Sequence, residues 1–314
     1  MSLNKFMFLN TLILKLFKIP KNSVIIIFQG GLGNQIFQYF LGEELKKQHK
    51  KNVFYYDIRN SYKSKHNSDL EKLFELKLKK YCTNKVNLVI RSIFLSPLFL
   101  KFNNFIFQKY RIKIFSNYFF DDIVSPLNLK EIIDTQNILI FFGTWHNLIN
   151  HYYYLSKTRK LIFKKNIYVP KIFDFNKKFI SLHVRRGDYL DYKTNNFHGN
   201  LDFSYYLKAT NFLRNKFGDL PVLLFSDDSK WLKDNLLNLI PNSLVISSGN
   251  LSPESDFLIM TKGNYFILSN STFSWLSAFF SEDKDKFLVI PQFWFNGQKI
   301  SSEYIFKEWN YKII

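Results

Sequence analysis

Short apolar runs alternate along the chain with longer segments whose apolar residues recur at helical spacing. Ser23–Phe28 is a β-branched run, and a glycine turn separates it from Asn34–His49, whose apolar residues lie three or four positions apart. Asn52–Tyr56 and Asn137–Phe142 are two further apolar runs. These patterns predict a strand, a helix and two more strands. Residues 60–135 have no clear period and are interpreted as mostly helical.

The carboxy-terminal half repeats this alternation more regularly. Its predicted strands are Phe179–Val184, Pro221–Phe225, Ser243–Ile246, Tyr265–Leu268 and Phe287–Ile290, and its predicted helices are Phe203–Phe217, Ser229–Leu237, Glu254–Thr261 and Thr272–Phe280. Strands that alternate with helices at this spacing form parallel sheets with crossover helices. We therefore predict an α/β protein with two α/β domains, residues 23–172 and 173–314. In such sheets ligands bind at the carboxyl ends of the strands.

Glycines follow the first predicted strand, in the run Gly30-Gly31-Leu32-Gly33, and Asn34 comes next. Glycines at this position let the backbone approach a phosphate or a sugar closely. The run is neither a dinucleotide fingerprint, because Ile36 stands at the third glycine position, nor a P-loop, because no Gly-Lys-Ser/Thr follows. Gly31 and Gly33 are candidate ligand contacts. Asn34 is either a ligand contact or the N-cap of the helix.

Two adjacent arginines end the strongest predicted strand, in the run HVRRGDY at 183–189. Side chains alternate along an extended segment, so His183 and Arg185 are predicted on one side and Arg186 on the other. An arginine can bind a diphosphate through two N–H groups and keeps its charge. Asp188 is placed to hold one of the two arginines. The alternative is a structural arginine–aspartate network.

Two later strand ends carry further polar residues. Ser226 and Asp227 follow the strand at 221–225, where either one would also serve as a helix N-cap. The predicted helix at 272–280 begins in a run rich in serine and threonine, which contains Ser271, Thr272 and Phe273. The free backbone N–H groups at the start of that helix would attract an anion. Plain N-capping is again the alternative.

Cysteine and acidic residues argue against a metal centre. The single cysteine, Cys82, excludes an intramolecular disulfide and a cysteine metal cluster, and it is interpreted as a small buried apolar residue. Asp283 and Asp285 resemble the aspartate motif of metal-dependent glycosyltransferases, but their charged surroundings favour a solvated turn. We therefore predict no metal site.

Positive charge is concentrated in the front half of the chain. The net charge is +19, of which residues 1–172 carry +18 and residues 173–314 carry +1. Such a surface attracts nucleic acid, anionic lipid or a phosphate-bearing substrate. A lysine coat that reflects AT-rich codon usage is the alternative, since the chain has 37 lysines and only seven arginines.

The amino-terminal segment is apolar but does not have the length of a membrane span. Met1–Ile19 is interrupted by Lys5, Lys15 and Lys18, which favours an amphipathic helix at a membrane interface within residues 1–22. A second apolar stretch, Ile93–Phe107, is interpreted as a buried or membrane-facing segment. We expect a cytoplasmic protein that associates peripherally with an anionic membrane.

Taken together, these runs resemble the α1,2-fucosyltransferase family of bacteria and animals. The residues that carry the resemblance are GGLGNQIFQY at 30–39, HVRRGDY at 183–189, FSDD at 225–228 with Trp231, FHG at 197–199, LDFSYYLKA at 201–209, the block from Asp256 to Trp275 with NSTFSW at 270–275, and Pro291 with Trp294. The chain departs from the family at Gly263-Asn264-Tyr265, where Cys-Lys-His is usual, and at Leu276, where a second tryptophan is usual.

The resemblance implies a GT-B-like fold of two Rossmann-like domains whose parallel sheets face a cleft. It implies GDP-fucose as the donor, inversion at the anomeric carbon, no required metal or other cofactor, and transfer to the 2-hydroxyl of a galactoside. The acceptor would be a galactose-containing oligosaccharide, lipid-linked or free, of a bacterial lipopolysaccharide or capsule. The protein would then lie at the inner face of the inner membrane.

The same resemblance assigns roles to the candidate residues. Arg185 would bind the diphosphate, together with Ser271, Thr272 and Phe273, and Asp256 would accept hydrogen bonds from guanine. His183 would contact ribose or phosphate, and Asn34 would orient the acceptor or the fucose. The remaining donor-site candidates are Gly31, Gly33, Arg186 and Asp227, and the candidate general bases are Asp188 and His198.

Three other readings stay open. A transferase that uses another GDP-sugar would keep the same motifs. A non-catalytic carbohydrate-binding relative would keep the fold and lose the donor residues, which are present here. A nucleic-acid-binding protein would explain the charge but not HVRRGDY or NSTFSW, and no named nucleic-acid module is present, so we predict no nucleic-acid partner.

Overall fold

The computed structural model describes residues 22–57, 70–79, 112–116, 138–145, 161–247 and 251–314. The chain divides into two compact units, one of residues 1–71 and 76–161 and one of residues 72–75 and 162–314. Residues 162–172, assigned to the first domain from the sequence, pack with the second unit because Phe163 contacts Phe74 and Phe257. The other predicted domain limits stay predictions.

The first unit contains a parallel sheet with strand order β2-β1-β4-β3. Its elements are β1 (Ser23–Phe28), α1 (Leu32–Gln48), β2 (Asn52–Asp57), β3 (Ile112–Ser116) and β4 (Ile138–Phe142), and a short helix α2 (Leu70–Leu73) crosses the limit between the units. Every residue of β1 is buried, as expected for a central strand covered on both faces. The mostly helical interpretation of residues 60–135 is wrong for β3.

The second unit is built on a six-stranded parallel sheet with strand order β12-β9-β8-β5-β6-β7. Its elements are β5 (Ile180–Val184), α3 (Tyr192–His198), α4 (Phe203–Phe217), β6 (Val222–Ser226), α5 (Ser229–Asn235), β7 (Ser243–Val245), α6 (Pro253–Met260), β8 (Tyr265–Ile267), α7 (Thr272–Phe280), β9 (Phe287–Ile290), the hairpin strands β10 (Phe293–Phe295) and β11 (Gln298–Lys299), and β12 (Asn310–Ile313).

Strand β5 occupies the topological switch point of this sheet. The chain continues from β5 to β6 and β7 on one side, and β8, β9 and β12 follow on the other side. At such a reversal the connections leave the sheet in opposite directions, which opens a crevice at the carboxyl ends of the two central strands. The residues after β5 and β8 therefore surround this crevice.

Apolar side chains point alternately to the two faces of the sheet along its central strands, so both faces are covered by apolar clusters. Ile180, Leu182 and Val184 pack into one apolar cluster with α4, whereas Leu223 and Phe225 of the next strand pack into a second cluster with Ile259 and Met260 of α6. Ser181 and His183 pair in register with Leu223 and Phe225, so His183 faces the side covered by α6 and α7.

The predicted strands and helices of the second unit are confirmed to within two residues at each end, and α4, α7 and β9 match in both bounds. The sequence analysis missed α3, the β10–β11 hairpin and β12. All four residues of β12 are exposed, so the strand has no pattern of apolar residues that would predict it.

Several predictions fall outside the described residues. These are the amphipathic helix at Met1–Ile19, the buried position of Cys82 and the apolar segment Ile93–Phe107. Within the part of the chain that the structure describes, no helix is long and apolar enough to cross a bilayer.

Candidate active site

Arg185 is held by two carboxylates at the carboxyl end of β5. Its Nη2 lies 2.6 Å from Oδ1 of Asp188, and its Nη1 lies 2.9 Å from Oδ2 of Asp227. The sequence left open which arginine Asp188 holds, and the structure assigns it to Arg185. A guanidinium carries five N–H donors, so two ion pairs leave donors available for an anion. The two ion pairs fix the orientation of Arg185 and leave some of its N–H groups free to donate to a ligand.

Arg186 points to a different set of residues. Its Nε lies 3.3 Å from Oδ2 of Asp228, and its guanidinium carbon lies 4.4 Å from the ring centroid of Trp231. These contacts match the structural arginine–aspartate network that the sequence analysis kept as an alternative. A role of Arg186 in donor binding stays a prediction.

The N-cap of α5 is Asp228, which corrects the expectation that Ser226 or Asp227 caps this helix. Oδ1 of Asp228 accepts from the backbone N of Trp231 at 3.0 Å, and the hydroxyl of Ser226 accepts from the backbone N of Asp228 at 2.9 Å. Asp227 is therefore available to accept from the backbone N of Arg186 at 2.9 Å and to pair with Arg185.

Gly187 allows the close approach of Asp227. A Cβ atom at Gly187 would lie 2.5 Å from Oδ2 and 3.0 Å from Cγ of Asp227, well inside van der Waals contact. Only glycine leaves room for the carboxylate that holds Arg185. The glycine of the R-R-G-D run is thus part of the arrangement, although the sequence analysis gave it no role.

His183 connects the two sides of the switch point. The ring is buried, and its Nδ1 lies 2.7 Å from the hydroxyl of Ser269, which follows β8. Burial lowers the pKa of His183 from 6.5 to about 3, and Asp227 opposes this shift while Arg185 adds to it. The imidazole is therefore neutral at neutral pH. It positions Ser269, and its predicted contact with the donor stays a prediction.

The hydroxyl-rich turn at 269–274 is held by its own side chains. Asn270 donates to the backbone oxygens of His198 and Gly199 at 2.9 and 3.2 Å, and Ser274 donates to those of Ser269 and Ser271 at 3.2 and 3.0 Å. These bonds fix the position at which α7 begins.

The N-cap of α7 is Ser271, whose hydroxyl accepts from the backbone N of Phe273 at 3.3 Å. The capping alternative is therefore present. Thr272 is the first residue of the helix and is half-buried, as is Phe273. A helix N-terminus at the switch point of a parallel sheet favours a negatively charged ligand.

Asp256 lies in the first turn of α6 and has one bound and one open oxygen. Its Oδ2 accepts from the hydroxyl of Ser247 at 2.6 Å, and that hydroxyl accepts from the backbone N of Ser226 at 3.1 Å. Oδ1 is buried and has no hydrogen-bond partner among the described residues. Burial raises the pKa of Asp256 from 3.8 to about 6, against the effect of the Ser247 hydrogen bond. A buried carboxylate oxygen without a hydrogen-bond partner is costly, and a donor group of a ligand would satisfy it.

Tyr189 and His198 extend the site away from Arg185. The guanidinium carbon of Arg185 lies 5.5 Å from the ring centroid of Tyr189, whose ring stacks on His198 at 4.5 Å. The Tyr189 hydroxyl donates to the backbone oxygen of Asn270 at 3.0 Å. Burial lowers the pKa of His198 from 6.5 to about 4, with Asp188 opposing and Arg185 adding to the shift.

The glycine-rich loop belongs to the first unit. Gly31, not Asn34, is the N-cap of α1, so Asn34 lies within the helix and the capping alternative for it is wrong. Gly30 has a φ of +71°, and Gln38 donates to the backbone oxygens of Gln29 and Gly143 at 3.4 and 2.8 Å. Gln38 thus joins the ends of β1 and β4. Roles of Gly31, Gly33 and Asn34 in ligand binding stay predictions.

Asp283 lies outside this cluster and stabilises a turn. Asp283 accepts from Nδ2 of Asn264 at 2.6 Å and from the backbone N of Asp285 at 2.9 Å, as in a turn. Across the residues that the structure covers, no group of three or more His, Cys, Asp or Glu side chains is arranged to hold a metal ion.

Comparison with known proteins identifies the family. The family model described as "Glycosyl transferase family 11" matches residues 23–313. The chain belongs to glycosyl transferase family 11. It is 28% identical over 303 residues to the O-antigen biosynthesis glycosyltransferase WbnK of Escherichia coli, which covers 87% of this chain and 95% of that protein.

Two other relatives differ in name and in extent. An α-1,2-colitosyltransferase of E. coli is 27% identical over 302 residues, covering 89% of this chain and 94% of that protein. The mouse galactoside α-(1,2)-fucosyltransferase 1 is 29% identical over 103 residues, covering 32% of this chain and 27% of that protein. The family resemblance read from the motifs is confirmed, and the chain is a glycosyltransferase.

A solved structure shares the fold of this family 11 chain. Arabidopsis thaliana FUT1 in complex with GDP has a TM-score of 0.50 at 10% identity and covers 88% of this chain and 74% of its own. The predicted α/β class of two Rossmann-like units with parallel sheets, GT-B-like, is confirmed.

The departures from the family pattern lie in packing positions. Gly263 packs closely against Ser181: a Cβ atom at Gly263 would lie 2.8 Å from the Cβ of Ser181. Oδ1 of Asn264 accepts from the backbone N of Phe179 at 3.3 Å, and Leu276 is fully buried. These residues support the sheet and α7 and do not line the crevice.

Sequence reasoning missed several residues that hold the family 11 site together. Ser247, Ser269, Asn270, Tyr189 and Gly187 each position a predicted site residue through a contact described above. Ser247 and Ser269 both follow parallel strands, so the rule that ligands bind at strand ends was a usable signal for them. The partners of Tyr189 and Asn270 lie far along the chain and carry no local signal.

Proposed function

We propose that the chain transfers fucose from GDP-fucose, with inversion, to the 2-hydroxyl of a galactoside. The observation that carries the proposal is Arg185, fixed by Asp188 and Asp227 at the switch point with N–H donors to spare. Cleaving the bond between a sugar and a diphosphate builds negative charge on the leaving phosphate. A preoriented guanidinium next to a helix N-terminus stabilises that charge in the transition state.

The proposed donor contacts continue along the edge of the sheet. Ser271, Thr272 and Phe273 would present the start of α7 to the diphosphate. The open Oδ1 of Asp256, with its partner oxygen held by Ser247, would accept from the N1–H and N2–H₂ groups of guanine. A carboxylate offers two acceptors, which suits the paired donors of that base edge. We propose that Arg186, Asp227 and His183 position the residues that make these contacts.

Two side chains are proposed for deprotonating the acceptor hydroxyl. Asp188 is tied to Arg185 at 2.6 Å, and this ion pair favours a positioning role. His198 is neutral at neutral pH, and its Nδ1 has no hydrogen-bond partner among the described residues. A neutral imidazole with an open nitrogen can accept a proton, and burial weakens its basicity. Asn34, Gly31 and Gly33 are proposed to contact the acceptor or the fucose.

The relatives support a role in surface-glycan synthesis. One full-length relative is named for O-antigen biosynthesis, so we propose a galactose-containing, lipid-linked O-antigen or capsule precursor as the acceptor. The basic front half then favours a cytoplasmic protein attached to the anionic inner face of the inner membrane. No metal or other cofactor is proposed, because Asp188, Asp227 and Asp228 are each paired with an arginine.

A different GDP-sugar is the second candidate donor, and one observation favours it. The relative that covers 89% of this chain is named a colitosyltransferase. Colitose and fucose are both 6-deoxy sugars, so the same diphosphate and guanine contacts would serve either donor. The choice between them depends on contacts to the sugar ring.

The experiment is a donor panel with the purified full chain and a β-galactoside acceptor. GDP-fucose, GDP-colitose, GDP-mannose and a UDP-sugar are compared by kcat/KM, and NMR of the product gives the linkage and the anomeric configuration. We expect GDP-fucose to exceed GDP-mannose and the UDP-sugar by at least a hundredfold and to give a 2-linked product. Preference for GDP-colitose would support the second candidate. Equal use of a UDP-sugar would contradict the guanine role of Asp256.

A further inference from the structure

An exposed group of aromatic rings lies next to the proposed donor site in the second unit. Phe197 ends α3 with His198, and Phe293 and Phe295 lie on β10 on either side of the buried Trp294. We call Phe197, His198, Phe293 and Phe295 the aromatic ledge. Phe197 and Phe293 are 42% and 43% exposed, so both rings can be reached by a ligand.

Three rings of the ledge pack on one another, and Phe293 lies two residues before Phe295 on the same strand. The ring of Phe197 lies 4.9 Å from that of Phe295 and 4.8 Å from that of His198, and His198 lies 5.5 Å from Phe295. The backbone N of Asn296 donates to the backbone oxygen of Phe197 at 2.9 Å. This bond ties the β10–β11 hairpin to α3, so the rings are held in place before any ligand binds.

A stack of rings connects the ledge to Arg185. Tyr189 lies between the guanidinium of Arg185 and the imidazole of His198, at 5.5 and 4.5 Å from them. Asn270, at the start of the turn before α7, bonds the backbone oxygens of His198, Gly199 and Trp294. The ledge is therefore fixed to the same turn that would hold the diphosphate.

The chemistry of the ledge favours a sugar over a lipid chain. Two buried polar atoms have no hydrogen-bond partner among the described residues: Nδ1 of His198, in the ledge, and Oδ1 of Asn200, two residues further along the chain. Nδ2 of Asn200 already donates to the backbone oxygen of Tyr189 at 3.2 Å. Apolar rings combined with a few open hydrogen-bonding atoms suit a ligand that has both C–H faces and hydroxyl groups. An acyl chain would leave the two polar atoms unsatisfied.

We propose that the aromatic ledge binds the galactoside acceptor, with a C–H face of the sugar on Phe197 and Phe293 and its hydroxyls toward His198 and Asn200. This inference rests on the proposed function for the identity of the sugar. It adds an acceptor subsite on the donor-binding unit, whereas the sequence analysis expected acceptor contacts in residues 23–172.

The test compares Phe197→Ala and Phe293→Ala with the wild type in the full chain. We expect the KM for a β-galactoside acceptor to rise about fivefold to tenfold in each variant, in keeping with the loss of one aromatic contact. The Kd for GDP, measured by calorimetry, is expected to stay within twofold. Phe197→Tyr keeps the ring and is expected to restore the acceptor KM. Tyr311→Ala, which removes an exposed ring on β12, is the matched control and is expected to leave both constants unchanged.

A binding measurement without turnover separates this inference from the proposed function. Lactose is titrated into the wild type and into Phe197→Ala, and binding is followed by saturation-transfer NMR. Lactose binding that is lost in Phe197→Ala supports the ledge even if the wild type transfers no fucose. Equal lactose binding and equal acceptor KM in both alanine variants would overturn the inference. A loss of liposome binding or of self-association in these variants, with lactose binding intact, would overturn it as well.

Discussion

Replacing Asp256 by asparagine is expected to stabilise the ligand-free protein and to weaken its binding of GDP. Burial raises the pKa of Asp256 from 3.8 to about 6, so its folded environment disfavours the charged form. Each unit of pKa difference corresponds to about 1.4 kcal/mol, which makes the cost of this charge up to about 3 kcal/mol at neutral pH. Asparagine removes the charge and still accepts the hydrogen bond from Ser247.

The pH dependence of this stabilisation has a defined sign. A carboxyl whose folded pKa is raised binds more protons when folded than when unfolded between pH 3.8 and about pH 6. Stability from this group is therefore present at low pH and is lost as the pH rises through that window. The stability advantage of Asp256→Asn should be largest at pH 7 and should shrink towards pH 4.

The loss of GDP binding has a separate cause. Asparagine offers guanine one acceptor and one donor where the carboxylate offers two acceptors. Hydrogen bonds to a charged group contribute about 1.5–3 kcal/mol, so we expect GDP to bind tenfold to a hundredfold more weakly. Wild-type affinity should also fall below about pH 6, as Asp256 takes up a proton.

The assay combines urea unfolding with calorimetry on the same preparations. The free energy of unfolding is measured at pH 7 and pH 5, and the GDP affinity at pH 7, for wild type, Asp256→Asn and the control Asp234→Asn. Asp234 is exposed on α5, so its replacement should change neither quantity. An Asp256→Asn protein that is no more stable than wild type, or that binds GDP equally well, would refute the reasoning.

Four further predictions test the site and its surroundings. Arg185→Lys should lower kcat by about 10²–10³ in a protein with an unchanged circular dichroism spectrum, because an ammonium cannot hold Asp188, Asp227 and a phosphate in fixed positions; near-normal turnover would contradict the diphosphate role. Gly187→Ala should weaken GDP binding at least tenfold, because its Cβ displaces the Asp227 carboxylate, and calorimetry checks this. Transfer should persist in excess EDTA. A complete loss of activity that Mn²⁺ restores would show that the Asp188 and Asp227 carboxylates hold a metal. Liposome flotation should show binding to anionic vesicles that falls with salt and with deletion of residues 1–19, and equal binding to neutral vesicles would leave the charge asymmetry without a membrane role.

Local pattern was enough to predict most of the second unit. Strands β5, β6, β8 and β9 are short apolar runs, and α4 and α7 have apolar residues at helical spacing, so each element is encoded within its own residues. The strand ends that carry Arg185, Asp227 and Ser271 followed from the same pattern. The resemblance of HVRRGDY and NSTFSW then gave the family, because a motif is also a local property of the chain.

Elements with a weak hydrophobic pattern were missed or misread. Strand β12 has four exposed residues and is recognised only by its parallel pairing with β9, and β3 lies in a region without a clear period. Both exist because a neighbouring strand offers unpaired N–H and C=O groups, and that partner is far away in the sequence.

Only the tertiary structure decided how the polar groups of the site pair. The sequence allowed Asp188 to hold either arginine and allowed Ser226 or Asp227 to cap α5. The sheet places β5 beside β6, and this pairing brings Asp227 to Arg185 and leaves the cap to Asp228. The bond between Ser247, which follows β7, and Asp256, on α6, likewise has no signal in the local pattern. A hydrogen bond depends on positions to within a few tenths of an ångström, and those positions are set by the packing of elements that lie far apart in the chain.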